Sequence, residues 1–351
     1  MNNDFLRYSC QMALPGFSER AQRRLQNARV LVVGAGGLGC PAALYLAAAG
    51  VGTIYIADFD TVSISNLHRQ VLYNPGDVGK NKSRVACERL QLQNPGIRVV
   101  PFDQQVTREN VMELVYQCDI IVDGSDNFEA RYLLNDAAVL AHKPLVYGAI
   151  YQFEGQVAVW NIENPNGSWS PNYRDLFPEV DSSQIPNCSE GGVISTLAGI
   201  IGCMQANEVI KYITQTGDLL AGKILVLDAQ TLASRTIKIA GATSTQIENL
   251  PAFTAAPTLS AEEVRRGMAE NTIILIDVRT SAEREAFNIG GEHLPFGEAD
   301  FPVERLNSKV RNVFYCATGR RSEEMVKAIL QKLPGANVFS LHGGLKEWAI
   351  D

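Results

Sequence analysis

The stretch Arg29-Val30-Leu31-Val32-Val33-Gly34-Ala35-Gly36-Gly37-Leu38-Gly39 decides the fold. Residues 30–33 read as a buried strand, the glycine run follows it directly, and a helix opens at Gly39. Asp58 stands at the end of the next strand, residues 53–57, about 20 positions further on. In that order, strand, glycine turn, helix and acid make a nucleotide site. The glycines let the backbone approach a phosphate chain, the helix N-terminus faces it with positive partial charge, and Asp58 accepts from ribose hydroxyls. Gly34, Gly36, Gly37, Gly39 and Asp58 are therefore candidate binding residues. Taken alone, the pattern makes a dinucleotide such as NAD the default ligand.

Working outward, helix-like segments from Val78 and Phe128 alternate with strand-like runs at 98–100, 120–122 and 144–147. This predicts a mostly parallel, Rossmann-like α/β sheet wrapped by helices. A strand at 156–160, a polar crossover or lid over 163–188, and an apolar helix from 192 to about 212 complete a unit by Lys238. Residues 241–257 are small, polar and proline-containing, and read as a linker. Ser260 followed by Glu263 looks like a capping box ahead of a buried strand at 273–276. The expected organisation is a large domain over 1–240, a linker over 241–257 and a small α/β domain over 258–351, in keeping with 351 residues in all.

A hydrophobic fraction of 46% and a charged fraction of 20% exclude disordered and fibrous classes. The net charge of −7, spread without a basic block, argues against nucleic acid as a direct partner. No run approaches about 18 uninterrupted apolar residues, so no membrane span is expected. The polar start, Met1-Asn2-Asn3-Asp4, is unlike a secretory signal and points to a cytoplasmic protein. Seven cysteines without a C-x-x-C pair are too sparse for a disulfide framework; Cys40, Cys87 and Cys203 fall in apolar helical stretches and read as core.

Beyond Asp58 the chain reads DFDTVSISNLHRQ over 58–70, with Lys82 and Arg84 on the following helix. A hydride site has little use for these cations, whereas attack on an α-phosphate needs fixed Arg and Lys groups or Mg²⁺ to neutralise developing charge. Without G-x-x-x-x-G-K-[ST] this is not a P-loop. Asp123-Gly124-Ser125-Asp126-Asn127 ends another strand, where open α/β sheets bind ligands. Asp126 is placed to hold Mg²⁺ or to orient phosphates, with Arg131 and Asn135 beyond it; its plain alternative is a helix cap.

The runs GAGGLG (34–39), DFDTVSISNLHRQ (58–70), VGKNKS (78–83), SDNFEARYLLN (125–135) and NCSEGG (187–192) occur in that order. Together they resemble the ubiquitin-activating-type adenylyltransferases of the HesA/MoeB/ThiF group over roughly residues 5 to 240. The resemblance implies a homodimer and ATP-dependent adenylation of the C-terminal glycine of a ubiquitin-like sulfur carrier ending in Gly-Gly. By motif position it implies that Gly37 and Gly39 line the phosphates and that Asp58 holds ribose. Asn66, Arg69 and Lys82 then contact phosphates, and Asp126 serves Mg²⁺ or the attacking carboxylate. It also implies that Cys188 can accept the carrier as a thioester or acyl disulfide, a role that a helix N-terminus suits by lowering a thiol's pKa.

Two departures stand out. Where such proteins read R-Y-x-R-Q near the start, with the second arginine reaching the partner subunit's ATP site, this chain has Arg7-Tyr8-Ser9-Cys10-Gln11. The structural zinc that the resemblance implies would need cysteines in Pro171-Asn172-Tyr173-Arg174-Asp175-Leu176-Phe177-Pro178 and again at 242–247. Neither segment has one, so no structural zinc is expected.

Near the C-terminal end, Phe314-Tyr315 runs into Cys316-Ala317-Thr318-Gly319-Arg320-Arg321-Ser322 ahead of a helix. A thiol among loop N–H groups and two arginines, Arg321 included, is an electropositive cradle for a thiolate or persulfide. A phosphatase-type C-x-x-x-x-x-R loop is the rival, although the arginine comes one residue early. With Ile276-Asp277-Val278-Arg279, Glu283, residues 289–295 and His342-Gly343-Gly344-Leu345-Lys346-Glu347-Trp348, residues 258 to 351 resemble single-domain rhodaneses. His293 and Trp348 read as structural.

The two resemblances imply adenylation of the carrier followed by sulfur delivery from a Cys316 persulfide, loaded by a cysteine desulfurase or thiosulfate. The thiocarboxylate product would serve molybdopterin, thiamine or tRNA-thiolation chemistry. The alternatives are a carrier-binding scaffold with an impaired ATP site, which Cys10 and the absent cysteines suggest, and an NAD-dependent oxidoreductase fused to a sulfurtransferase.

Overall fold

The computed structural model describes residues 3–178, 192–251, 256–296 and 305–348. The chain divides into two units, Met1–Ala252 and Phe253–Asp351, each built around its own sheet. In the first, β1 (Arg29–Val33), β2 (Thr53–Ala57), β3 (Arg98–Phe102), β4 (Ile120–Asp123) and β5 (Leu145–Tyr151) pair in parallel. The strands β6 (Glu154–Trp160), β7 (Lys223–Asp228) and β8 (Ser234–Lys238) continue the sheet antiparallel, giving the order β3-β2-β1-β4-β5-β6-β7-β8.

Strand β1 is apolar on both faces because both are covered. Val30 and Val32 pack with Leu46 and Val209 on one side, and Leu31 and Val33 with Ile121 and Leu134 on the other. Val33 pairs with Ala57 of β2 and with Asp123 of β4, so the strand order reverses at β1 and a crevice opens beyond the C-terminal ends of β1 and β4.

Two helices start away from their expected places, the first of them because of local capping. The helix anticipated from Val78 begins at Lys82, because Asn74 and Asp77 close a separate 3₁₀ turn over Pro75–Asp77 and Asn81 caps the helix by accepting from the Arg84 N–H. The helix anticipated from Gly192 is Ser195–Thr214. The polar crossover is packed structure as far as Pro178: Tyr173 is buried with its ring centroid 5.3 Å from that of Tyr132 and 5.5 Å from that of Tyr147. Asn135 accepts from the Tyr173 N–H at 2.7 Å.

In the second unit β9 (Thr258–Leu259), β10 (Ile273–Asp277), β11 (Glu292–His293), β12 (Arg311–Tyr315) and β13 (Val338–Leu341) form a parallel sheet in the order β11-β10-β12-β13-β9. Ser260 and Glu263 form the anticipated capping box, and Thr280 with Glu283 forms a second one on helix Ser281–Ala286. No helix among the described residues is long and apolar enough to cross a membrane.

Candidate functional site

At the end of β1, Gly34 adopts φ +91°, and a Cβ there would lie 2.5 Å from the Gly124 carbonyl oxygen. The loops after β1 and β4 therefore meet backbone to backbone, which only glycine permits. A Cβ on Gly39 would fall 1.7 Å from the Gly34 oxygen, so Gly39 closes the turn. Gly37 lies beneath the Arg69 stem, whose Cγ and Cδ would both stand 3.4 Å from a Cβ. Gly36 faces the amide of buried Gln70, whose Oε1 has no partner among the described residues.

The charged residues close around this loop. Asp58 accepts from the Ala35 N–H at 2.7 Å and the Asp60 N–H at 2.9 Å, so it braces the glycine turn. Burial pushes its carboxyl up, against the pull of Lys82. Lys82 Nζ lies 2.9 Å from Asp60 Oδ2, with its side chain buried. The Arg69 guanidinium donates to Asn66 Oδ1 at 3.0 Å and lies 2.7 Å from His68 Nε2. The structure thus brings Gly34, Gly36, Gly37, Gly39, Asp58, Asn66, Arg69 and Lys82 to one crevice.

Asp126 is exposed, two residues beyond Gly124. It is not the helix cap: Asn127 caps Phe128–Leu140 by accepting from the Ala130 N–H at 2.8 Å. Arg131 stays at the same strand end, donating to the Ser125 carbonyl at 3.3 Å, whereas Asn135 turns elsewhere. Arg131 Nε sits 3.9 Å from buried Asp123, with its guanidinium 5.5 Å from the Tyr147 ring centroid, and Asn135 holds the crossover.

On the second unit, buried Cys316 follows β12. The carbonyls of Cys316 and Ala317 accept from the N–H groups of Leu345 and Lys346 at 2.9 and 3.0 Å. A Cβ on Gly344 (φ +60°) would lie 2.5 Å from Cys316 O and Gly319 N, so the glycine lets the last helix reach the loop. With the carbonyls turned to that helix, no described acceptor takes the N–H of Ala317, Thr318 or Gly319. Those groups and the N-terminus of helix Arg320–Lys332 supply the positive partial charge. The arginines contribute less than their sequence positions suggest. Arg321 donates twice to Glu283, at 2.6 and 2.9 Å, bringing that carboxyl down to about 2, and Arg320 pairs with Glu324. His293 Nε2 bonds the Arg279 carbonyl at 2.8 Å and the Trp348 ring lies against the Arg265 guanidinium, both structural contacts.

A ThiF family model matches residues 8–249, and a rhodanese-like domain model matches residues 260–351. The chain belongs to the ThiF family. Among relatives, the probable adenylyltransferase/sulfurtransferase MoeZ of Mycobacterium tuberculosis is 41% identical over 368 residues, covering 98% of this chain and 92% of its own. The sulfur carrier protein adenylyltransferase of Thermus thermophilus is 47% identical over 234 residues, covering 66% of this chain and 86% of its own. The fold is shared with E. coli MccB, solved with MccA-N7isoASN, at TM-score 0.62 and 22% identity, over 70% of this chain and 75% of that one. The chain is an enzyme of the adenylyltransferase and sulfurtransferase type, and its ThiF unit implies use of ATP.

The ThiF unit does not fit the zinc that the family resemblance implies. Asp175, in one of the segments that would carry thiolates, accepts from the Asn172 N–H at 2.8 Å and from Thr243 Oγ1 at 2.7 Å. It also accepts from Ser244 N and Oγ, both at 2.9 Å, and from Thr245 N and Oγ1 at 2.9 and 2.8 Å. These donors occupy the carboxylate. Residues 243–245, anticipated as linker, are thereby fastened to the crossover.

Against the cost of burial, the bonds from Thr243, Asn172, Ser244 and Thr245 bring the Asp175 carboxyl down to about 2 from 3.8. A folded value below the unfolded one stabilises above pH 3.8 and is lost as pH falls toward about 2. For this part-exposed group, solvent screening leaves about 1 kcal/mol of pH-dependent stability. Asp175→Ala, which also strands the donors, is expected to cost about 2–3 kcal/mol. Urea denaturation at neutral pH checks this; an unchanged midpoint refutes the clasp.

Cys188 lies outside the described residues. Cys10 is exposed, and Arg7 donates to the Gln93 carbonyl of its own chain at 3.2 Å.

Proposed function

We propose that the ThiF unit adenylates the C-terminal glycine of a ubiquitin-like sulfur carrier and that Cys316 of the rhodanese-like unit delivers the sulfur. What supports this best is the crevice itself, with Arg69 lying over Gly37 and Lys82 paired with Asp60 and acting electrostatically on Asp58, on one chain with the Cys316 loop. The carrier carboxylate attacks the α-phosphorus of ATP and pyrophosphate leaves, giving carrier-CO-AMP. Arg69 and Lys82 neutralise the charge that gathers on the phosphates, and the Asn66 amide donates to it. Release of Lys82 from Asp60 and of Arg69 from Asn66 frees donors for that task. Asp126, an exposed carboxylate at a ligand-binding strand end, would hold Mg²⁺, which supplies Lewis-acid charge when bound.

A Cys316 persulfide then attacks the acyl carbon and AMP leaves, giving carrier-CO-S-S-Cys316. A thiolate cleaves that disulfide, releasing the thiocarboxylate and forming a new disulfide with Cys316. Cys188 is the candidate for that thiolate, or for an acyl acceptor. A cysteine desulfurase or thiosulfate loads Cys316. The product serves molybdopterin, thiamine or tRNA thiolation, and the active assembly is a cytoplasmic homodimer.

ATP–pyrophosphate exchange by the full chain tests the reading. It is expected only when a carrier ending in Gly-Gly is added, because the carboxylate is the nucleophile. Exchange without a carrier, or bound NAD in place of ATP, would overturn it. Lys82→Ala is expected to lower carrier-dependent exchange about 100-fold, and an unaltered rate would remove Lys82 from the site.

A further inference from the structure

Behind the Cys316 sulfur, two fully buried hydroxyls have more acceptors than protons to give. Ser322 Oγ lies 2.8 Å from the Gly319 carbonyl oxygen and 3.6 Å from Cys316 Sγ. Ser340 Oγ lies 2.8 Å from Ser322 Oγ and 3.5 Å from the same Gly319 oxygen. Each hydroxyl carries one proton. Ser322 therefore donates either to the carbonyl or to the sulfur.

The charge on the sulfur decides which. Against a neutral sulfur, a weak acceptor, the carbonyl wins and the short bond forms. Against a thiolate, a charge-assisted bond is the stronger one and the proton turns to Sγ. The Gly319 oxygen is not stranded by that turn, since it also accepts from the Glu323 N–H at 2.9 Å. Ser340 meanwhile donates to Ser322 Oγ, which strengthens the bond that Ser322 gives onward.

We infer that Ser322 is a catalytic residue of the sulfurtransferase half-reaction and Ser340 its positioning residue, together a hydroxyl relay that stabilises Cys316 as thiolate and lets go when the sulfur is neutral. The inference rests on the reading of Cys316 as the sulfur acceptor. Loading from thiosulfate shows its use: Sγ⁻ attacks the outer sulfur, a new S–S bond forms, the old one breaks, and sulfite leaves with the electron pair. Negative charge moves from Sγ to the terminal sulfur, and the Ser322 proton returns to Gly319.

The test is the pH dependence of Cys316 alkylation by iodoacetamide in the full chain, followed on the Cys316 peptide by mass spectrometry. Loss of one charge-assisted bond in Ser322→Ala is expected to slow alkylation about ten-fold at about pH 7. The ratio is expected to close toward one as the pH is raised to about 10. Ser340→Ala should show the same trend at about three-fold, and Ser322→Thr, which keeps the hydroxyl, should stay near wild type. Sulfur uptake from thiosulfate over the same pH series gives the same ratios and reports on a thiol that the alkylating reagent does not reach. Equal rates at about pH 7, or a deficit of the same size at every pH, overturn the relay. If the wild-type chain takes up no sulfur while the alkylation series behaves as described, the relay stands and the sulfur-acceptor reading falls.

Discussion

Replacing Asp126 with Ala is expected to abolish carrier-dependent ATP–pyrophosphate exchange, by about 1,000-fold or more. The expectation comes from what Asp126 does not do in the fold. Asn127 caps the helix, Ser125 binds Asp123, and Asp126 stands exposed at the mouth of the crevice. Removing it therefore leaves packing intact, and melting of the variant should match wild type within about 0.5 kcal/mol. The cations proposed to meet ATP, Lys82 and Arg69, also remain, so nucleotide binding should weaken far less than exchange. Asp126→Asn separates two roles: an amide still orients a phosphate by hydrogen bonding but is a poor Mg²⁺ ligand. Exchange that survives Asp126→Ala would move the protein toward a carrier-binding scaffold.

The crevice was legible in the sequence because its parts are local. A strand buried on both faces, a glycine turn and a helix start occupy consecutive positions, and Asp58 follows at the end of the next strand. The reasons for individual glycines were less legible. Gly39 is required by the carbonyl of Gly34 and Gly344 by the backbone of the Cys316 loop, contacts that only the folded chain creates. The Asp175 clasp was hidden for a related reason. It joins residues 68 positions apart through Thr243, inside a stretch whose small polar composition reads as linker, and no period or motif carries such a bond. The helix start at Lys82 does have a local signal, since Asn74 with Asp77, and Asn81 just ahead, are capping residues that outweigh the apolar Val78. Arg321 shows the limit of motif reading, because its place beside the thiol is visible in sequence while its bond to Glu283, 38 residues away, is not.

Cys316→Ser is expected to leave adenylation at the wild-type level and to eliminate thiocarboxylate, by at least about 100-fold. The first half follows from the division of the chain: the residues proposed for ATP lie in Met1–Ala252, and Cys316 lies in Phe253–Asp351. The second half follows from chemistry, since a serine oxygen cannot carry a transferable sulfane sulfur. The variant should fold. Sγ is buried against Ser322, and a smaller hydroxyl there keeps a hydrogen-bonding partner in the Ser322–Ser340 pair. Mass spectrometry of the reaction should then show the carrier stalled as acyl-adenylate, with a sulfur adduct on the wild-type Cys316 peptide alone. Loading with thiosulfate and with a cysteine desulfurase, in separate reactions, distinguishes a missing acceptor from a wrong donor. If the variant makes thiocarboxylate at the wild-type rate with a persulfide donor present, sulfur reaches the adenylate without the rhodanese-like unit. The loop around Cys316 would then need another substrate, an anion seated on the N–H groups of Ala317, Thr318 and Gly319.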